Sequence, residues 1–237
     1  MHVRRKESLI FYATVPDVCP YLGDRDMVSV FADPHQPMDP GLYGGLIELG
    51  FRRSGNHVYR HQCRGCHACV PVRLPVDRFR PDRNQRRVAS RNQDITAQIR
   101  SPAFDLEHFR LYERYVNARH HGGGMDEPSP ESYWGFVASH WCSTWLVEFR
   151  LGEQLVGVAV TDQVPVGLSA VYTYFDPELA SRSLGTLAIL WQVQAARRMG
   201  LPYVYLGFWN AQTPKMAYKI RFQPAEGLVD GIWKPVP

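Results

Sequence analysis

The chain has 237 residues, 45% of them apolar and 21% charged, and a formal net charge of +4. That is enough to bury a real core in one large domain or two small ones, and ordinary for a soluble globular protein. Its apolar runs, of which Leu155–Val160 is typical, fall far short of the ~18 residues a membrane span needs. The segment Ser8–Val15 is too short and polar-flanked for a secretory signal, so a cytoplasmic protein is expected.

Net charge conceals its distribution. Between Arg52 and Arg91 stand eleven arginines, no lysine and only two acids, Asp77 and Asp82. Arginine without lysine suits planar, bidentate phosphate recognition, with a solvated basic face as the plain alternative. Arg52, Arg53, Arg83, Arg86 and Arg87 are the candidate nucleic-acid contacts. Within the same stretch Cys63, Cys66 and Cys69 stand two residues apart, with Cys19 upstream. Reduced thiols at this spacing suit zinc or an iron–sulfur cluster, with His61 or His67 as substitute ligands. The alternative is a set of inert buried thiols. Cys142 reads as a small core residue.

In chain order, Met27–Leu42 reads as an irregular, proline-broken connection, and Gly55–Tyr59 and Val70–Leu74 as short extended segments. This gives a small cysteine-containing N-terminal domain, residues 1–100. From Asp105 longer elements appear. Leu106, Phe109, Tyr112 and Val116 share a helical face that Gly122–Gly124 ends, and Ser129-Pro130 caps a second helix. Strands Leu155–Asp162 and Gly167–Phe175 follow. Then come a helix near Ser183–Met199, with Arg197 and Arg198 at its C-terminal dipole, and a strand Tyr203–Gly207. The predicted class is α+β, with a catalytic domain over residues 101–237.

Strand, strand, helix, strand resembles the acyltransferase core of GCN5-related N-acetyltransferases. That fold grips a pyrophosphate at the start of its helix with Arg/Gln-x-x-Gly-x-Gly/Ala. Here Arg182-Ser183-Leu184-Gly185-Thr186-Leu187 puts leucine where the last small residue belongs, which argues against coenzyme A.

Longer motifs carry a more specific likeness. Gly167–Pro177, Arg182–Gly185, Tyr203–Trp209 and Lys215-Met-Ala-Tyr-Lys219, with Cys19-Pro-Tyr-Leu22, Gly50–Gly55 and Asn84–Arg87, resemble the arginyl-tRNA–protein transferase family over nearly the whole chain. Cys-Pro-Tyr-Leu and the triple cysteine resemble its bacterial branch, which moves leucine from Leu-tRNA to proteins beginning with Asp or Glu and so marks them for degradation. The resemblance implies tRNA and acidic N-termini as partners and no membrane. Tyr172, Asp176, Lys215, Tyr218 and Lys219 are candidate catalytic groups. Asp176 would orient or deprotonate the amine, with a strand-ending turn as its plain alternative. The lysine–tyrosine cluster would supply an oxyanion donor, the acid for the leaving ribose, or a contact to the terminal phosphates. Trp209 or Phe208 would stack on the terminal adenine unless it is core. Arg119 and His120 would bind the acceptor's acidic side chain. Arginine transfer, coenzyme A-dependent acetylation and plain RNA binding are the competing readings.

Overall fold

A computed structural model describes residues 8–119 and 127–236. The chain begins with β1 (Phe11–Ala13), β2 (Asp17–Val18), β3 (Asp26–Met27) and β4 (Ser29–Ala32). Helix α1 (Pro40–Glu48) follows, its N-terminus capped by the Asp39 carboxylate on the Leu42 N–H, with Pro40 at the first turn where no N–H is needed. The stretch read as an irregular connection therefore holds β4 and the start of α1. Strands β5 (Arg52–Ser54) and β6 (His57–His61) form a hairpin whose two-residue loop is Gly55-Asn56. Gly55 has φ +57°, and a Cβ there would come within 2.0 Å of the Gly135 carbonyl oxygen.

Next come β7 (Val70–Pro75), α2 (Arg83–Arg91), β8 (Ile95–Arg100), α3 (Leu106–Arg119) and α4 (Pro130–Val137). Asp82 and Gln85 close a capping box on α2, and Ser129 and Ser132 close one on α4. Then follow β9 (Ser143–Leu151), β10 (Gln154–Val164), β11 (Gly167–Phe175), α5 (Leu184–Arg198), β12 (Tyr203–Trp209), α6 (Pro214–Ala217), β13 (Glu226–Val229) and β14 (Ile232–Pro235). The α+β class holds, and the helices and strands anticipated from Leu106 to Gly207 lie where their patterns put them. The proposed glycine stop at 122–124 lies outside the described residues. Among the described residues no helix is long and apolar enough to cross a membrane.

The principal sheet runs β14-β13-β7-β12-β11-β10-β9-β8, beside a four-stranded sheet β1-β4-β6-β5 and the β2-β3 pair. Strands β7 and β8, both within the first hundred residues, lie in the same sheet as β9 to β14. A boundary at residue 100 therefore does not coincide with a break in the sheet. Helices α3 and α5 pack on β10 and β11, and α2 packs on α5.

One buried ion pair fastens the small sheet to the large one. Arg53 of β5 donates to Asp162 of β10 through Nε at 2.6 Å and Nη2 at 2.7 Å, and both side chains are fully buried. Its remaining donors reach Thr144 Oγ1 and the carbonyls of Gly55 and Val137. This is a correction: Arg53 cannot meet a phosphate, because its guanidinium is enclosed and fully engaged. Asp162→Ala should lower unfolding stability by about 3–5 kcal/mol, since it leaves a buried guanidinium unpaired. Urea denaturation checks this, and a loss below about 1 kcal/mol would contradict the latch.

Candidate functional site

The site is built on two strands that meet and then part. β11 and β12 run parallel and pair only over Gly167–Ser169 with Tyr203–Tyr205. Val171 is bulged out of the β10–β11 register, and Leu206 out of the β12–β7 register. An extra residue reverses which face the following side chains use. Leu168 and Ala170 pack in the cluster with α5 and β12, whereas Tyr172 and Tyr174 join the rings of α3 and α4. Tyr172 thus lies against Phe136 at 5.1 Å and against Tyr112 and Tyr115 at 6.2 Å.

Most of the predicted catalytic groups gather at the mouth of this opening. Lys219 follows β12 and donates its Nζ to the Phe208 carbonyl at 2.5 Å. Tyr218 is close enough to Tyr115, Tyr172, Arg52 and Arg119 to interact with each electrostatically. Arg119, at the end of α3, lies over the rings of Phe175 (5.2 Å) and Tyr115 (5.8 Å). Lys215 donates to the Arg119 carbonyl at 3.0 Å, which suits a cation at a helix C-terminus. Tyr115 carries no motif of its own in the sequence. It lies four residues before Arg119, a helical spacing that places both on one face. His120 lies outside the described residues.

Asp176 stands apart from this group. It is buried at the end of β11, accepts the Glu178 N–H on one oxygen and pairs with Arg114 on the other at 3.2 Å. One oxygen serves the strand-ending turn and the other holds Arg114 of α3, so its contacts are those of a structural carboxylate.

Desolvation around the hydroxyl keeps both tyrosines protonated, raising Tyr172 strongly and pushing Tyr218, although 39% of that residue's surface is exposed, up to about 12, so both remain donors. Lys219 moves the other way. Burial first, and the Arg52 charge second, bring its ammonium down to about 7. Among the described residues, the side chains that act electrostatically on Lys219 and Tyr218 are Arg52, Arg119, Cys69 and other tyrosines, with no carboxylate among them.

The remaining arginines divide. Arg83, Arg86 and Arg87 are exposed on α2, where their spacing puts them on one side of the helix as a basic ridge. Arg52 does not join that ridge: it is partly buried and bonded to the carbonyls of Ala170 and Val171. Trp209 is half-buried against the core beside α5, and Phe208 is buried against His61 at 4.7 Å.

On the other side of Phe208 is a cavity of about 290 Å³ lined by Cys19, Cys63, Cys66 and Cys69 with His61 and His67. Burial pushes the Cys69 thiol up to about 11 and holds His61 down near 4. His61 Nε2 is buried and has no partner among the described residues. The soft donor set suits zinc or an iron–sulfur group. The side chains as placed do not fit one, since among the described residues no three His, Cys, Asp or Glu groups converge closely enough to hold a metal ion.

At the start of α5 the Arg182 guanidinium is clasped by Asp94 at 2.8 and 2.9 Å. It is not free to grip a pyrophosphate.

Comparison with known protein families accounts for most of the chain. Residues 17–87 match the N-terminal part, and residues 107–229 the C-terminal part, described as arginine-tRNA-protein transferase. The chain belongs to the arginine-tRNA–protein transferase family.

Its relatives include proteins named aspartate/glutamate leucyltransferase. That of Marinobacter nauticus is 48% identical over 96% of both chains, and that of Nitrosococcus oceani 50% identical over 94% of both. One from Pseudomonas putida is 48% identical over 95% of this chain and 96% of its own.

Lys219 links the site to stability. Between about 7 and its ordinary value of 10.5 the unfolded chain binds the proton that the folded one releases, so this group favours folding increasingly as pH rises. The stability of the wild type relative to Lys219→Met should therefore improve from pH 7 to pH 10. A difference that does not vary with pH would refute the depressed lysine.

Proposed function

We propose that this chain transfers leucine from Leu-tRNA to the α-amine of proteins beginning with Asp or Glu, on a core like that of the GCN5-related N-acetyltransferases. The observation that carries the reading is the gathering of Arg52, Arg119 and Lys219 where β11 and β12 part, with no carboxylate acting on Tyr218 or Lys219 among the described residues. A leucine side chain needs no buried acid, whereas an arginine donor would. An acidic acceptor suits a cationic cleft. The order β10, β11, α5, β12 supports the acyltransferase core, and the names of the relatives support donor and acceptor together. Coenzyme A is disfavoured by Leu187 and by the occupied Arg182.

The donor ester is already activated, so the residues need only position, polarise and move protons. The acceptor α-amine, which ordinarily titrates at about 7.7–8.0, attacks the leucyl carbonyl carbon. Collapse of the tetrahedral intermediate forms the peptide bond and breaks the bond to the ribose oxygen. Lys219, partly neutral near pH 7, is suited to take the amine proton and return it to that oxygen. The hydroxyls of Tyr172 and Tyr218 are suited to the oxyanion. Arg119 binds the acceptor carboxylate, and Arg83, Arg86 and Arg87 meet the tRNA backbone. The soft donors Cys19, Cys63, Cys66 and Cys69 would have to draw together to hold a zinc or iron–sulfur group, since as placed they do not converge on one, and no step passes through it. Metal analysis of the purified chain against Cys63→Ser tests this: metal that is present and lost on substitution would assign the thiols as ligands, and equal content in both would exclude them.

The activity test offers Leu-tRNA or Arg-tRNA with peptides beginning with Asp, Glu, Arg or Ala. A new leucyl bond on the Asp and Glu peptides alone is expected, and no product with any pair would sink the proposal. Faster arginine transfer would reassign the donor. In the same assay Arg119→Ala should raise the acceptor KM about 10- to 100-fold and leave tRNA affinity unchanged.

A further inference from the structure

Parting two strands leaves their facing carbonyls without ladder donors, and a buried carbonyl left unpaired is costly. On the β11 side Arg52 supplies the missing donors: its Nη2 reaches the Ala170 carbonyl at 2.7 Å and the Val171 carbonyl at 3.1 Å. On the β12 side the same guanidinium presses on Gly207, where a Cβ would come within 1.9 Å of Nη1. Gly207 also has φ +78°, a conformation glycine adopts freely. Arg52 therefore touches both strands just beyond their last paired residues. Its Nη1 is buried and bonded to nothing among the described residues, so steric fit holds that arm in place. Phe208, next to Gly207, carries the carbonyl that holds Lys219.

We propose that Arg52 is a positioning residue, a wedge reaching from β5 between β11 and β12 that sets the width of the cleft and, through Gly207 and Phe208, the place of the Lys219 amine. The inference rests on the cleft being the transfer site. Arg52 acts by holding carbonyls and excluding strand closure, not by touching the donor. Its charge also adds to the burial that disfavours the Lys219 ammonium. A shift of about 1 Å in a catalytic group can cost about 100-fold in rate, so the wedge should register in kcat before it registers in either KM.

The test uses the full chain and its Arg52→Ala, Arg52→Lys, Gly207→Ala and Arg52→Ala/Gly207→Ala variants. Two quantities are read: leucine transfer from Leu-tRNA to an Asp-peptide, and the pH dependence of Lys219 acylation by a small amine reagent, followed by mass spectrometry. Gly207→Ala and Arg52→Ala should each lower kcat by about 10- to 100-fold with both KM values near wild type. The double variant should recover part of the Gly207→Ala loss, because the added methyl then has room. Arg52→Lys keeps the charge but cannot fork to two carbonyls, and it should lose kcat while its thermal midpoint stays near wild type. Lys219 labelling near pH 7 should slow in Arg52→Ala as the ammonium is restored. Independent, additive losses for the two single variants, or an unchanged labelling profile in Arg52→Ala, would overturn the wedge. If the wild type transfers no leucine, the function proposed above fails, while the labelling profile still decides whether Arg52 positions Lys219.

Discussion

Everything at the site follows from the short reach of the β11–β12 ladder. Two parallel strands that stop pairing inside a protein must satisfy the freed carbonyls from elsewhere, or the opening closes. Here cations do it, Arg52 on one edge and Lys219 on the other. The cleft is therefore positively lined as a consequence of how it is held open. The bulge at Val171 belongs to the same arrangement. It turns Tyr172 out of the α5 side and into the aromatic wall of α3, where Tyr115 and Arg119 wait. Geometry, charge and the donor hydroxyls come from one departure from regular pairing.

The arginine run that dominates the N-terminal half is several devices in one stretch of chain. Arg53 and Arg73 are interior groups. Arg53 is forked onto Asp162, and Arg73 is bonded to Glu48 and Glu226 while stacked on Tyr203 at 3.6 Å and Trp233 at 4.3 Å. A planar guanidinium with five donors can be fully satisfied in such places, where a lysine could not. Arg83, Arg86 and Arg87 instead keep to solvent on α2. The composition that reads as a phosphate field is thus partly internal carpentry, and the exposed remainder comprises the arginines of α2 together with Arg64, Arg78 and Arg80.

The sequence disclosed the elements that obey a simple period. Gly167–Phe175 and the helix near 183–199 match because apolar spacing and end signals agree along their whole length. β8 and β9 have no such signal and escape a reading by pattern. β4 and the start of α1 are hidden by the prolines around them, although Asp39-Pro40 is a helix-start signal. Arg52 and Arg53 illustrate the limit best. Neighbours on a strand point to opposite faces, so both could not serve one surface, and that much is readable. Their partners are not, because Asp162 and Val171 lie more than a hundred residues away and a one-residue bulge decides which face is offered. Asp176-Pro177 suits chemistry and a turn equally on sequence, and the hydrogen bonds favour the turn. Lys215, Tyr218 and Lys219 are legible as a cluster because they sit within five residues, and Arg119 joins them through the end of α3.

The position of β7 bears on how the molecule is assembled. It pairs on one side with β12 and on the other with β13, both made at the far end of the chain. During synthesis β7 must wait with both edges bare until β12 and β13 have been made. The sheet that carries the cleft can therefore be completed only after a long stretch of intervening chain has emerged, and a fragment that stops before Glu226 would leave one edge of β7 open for a second chain to occupy.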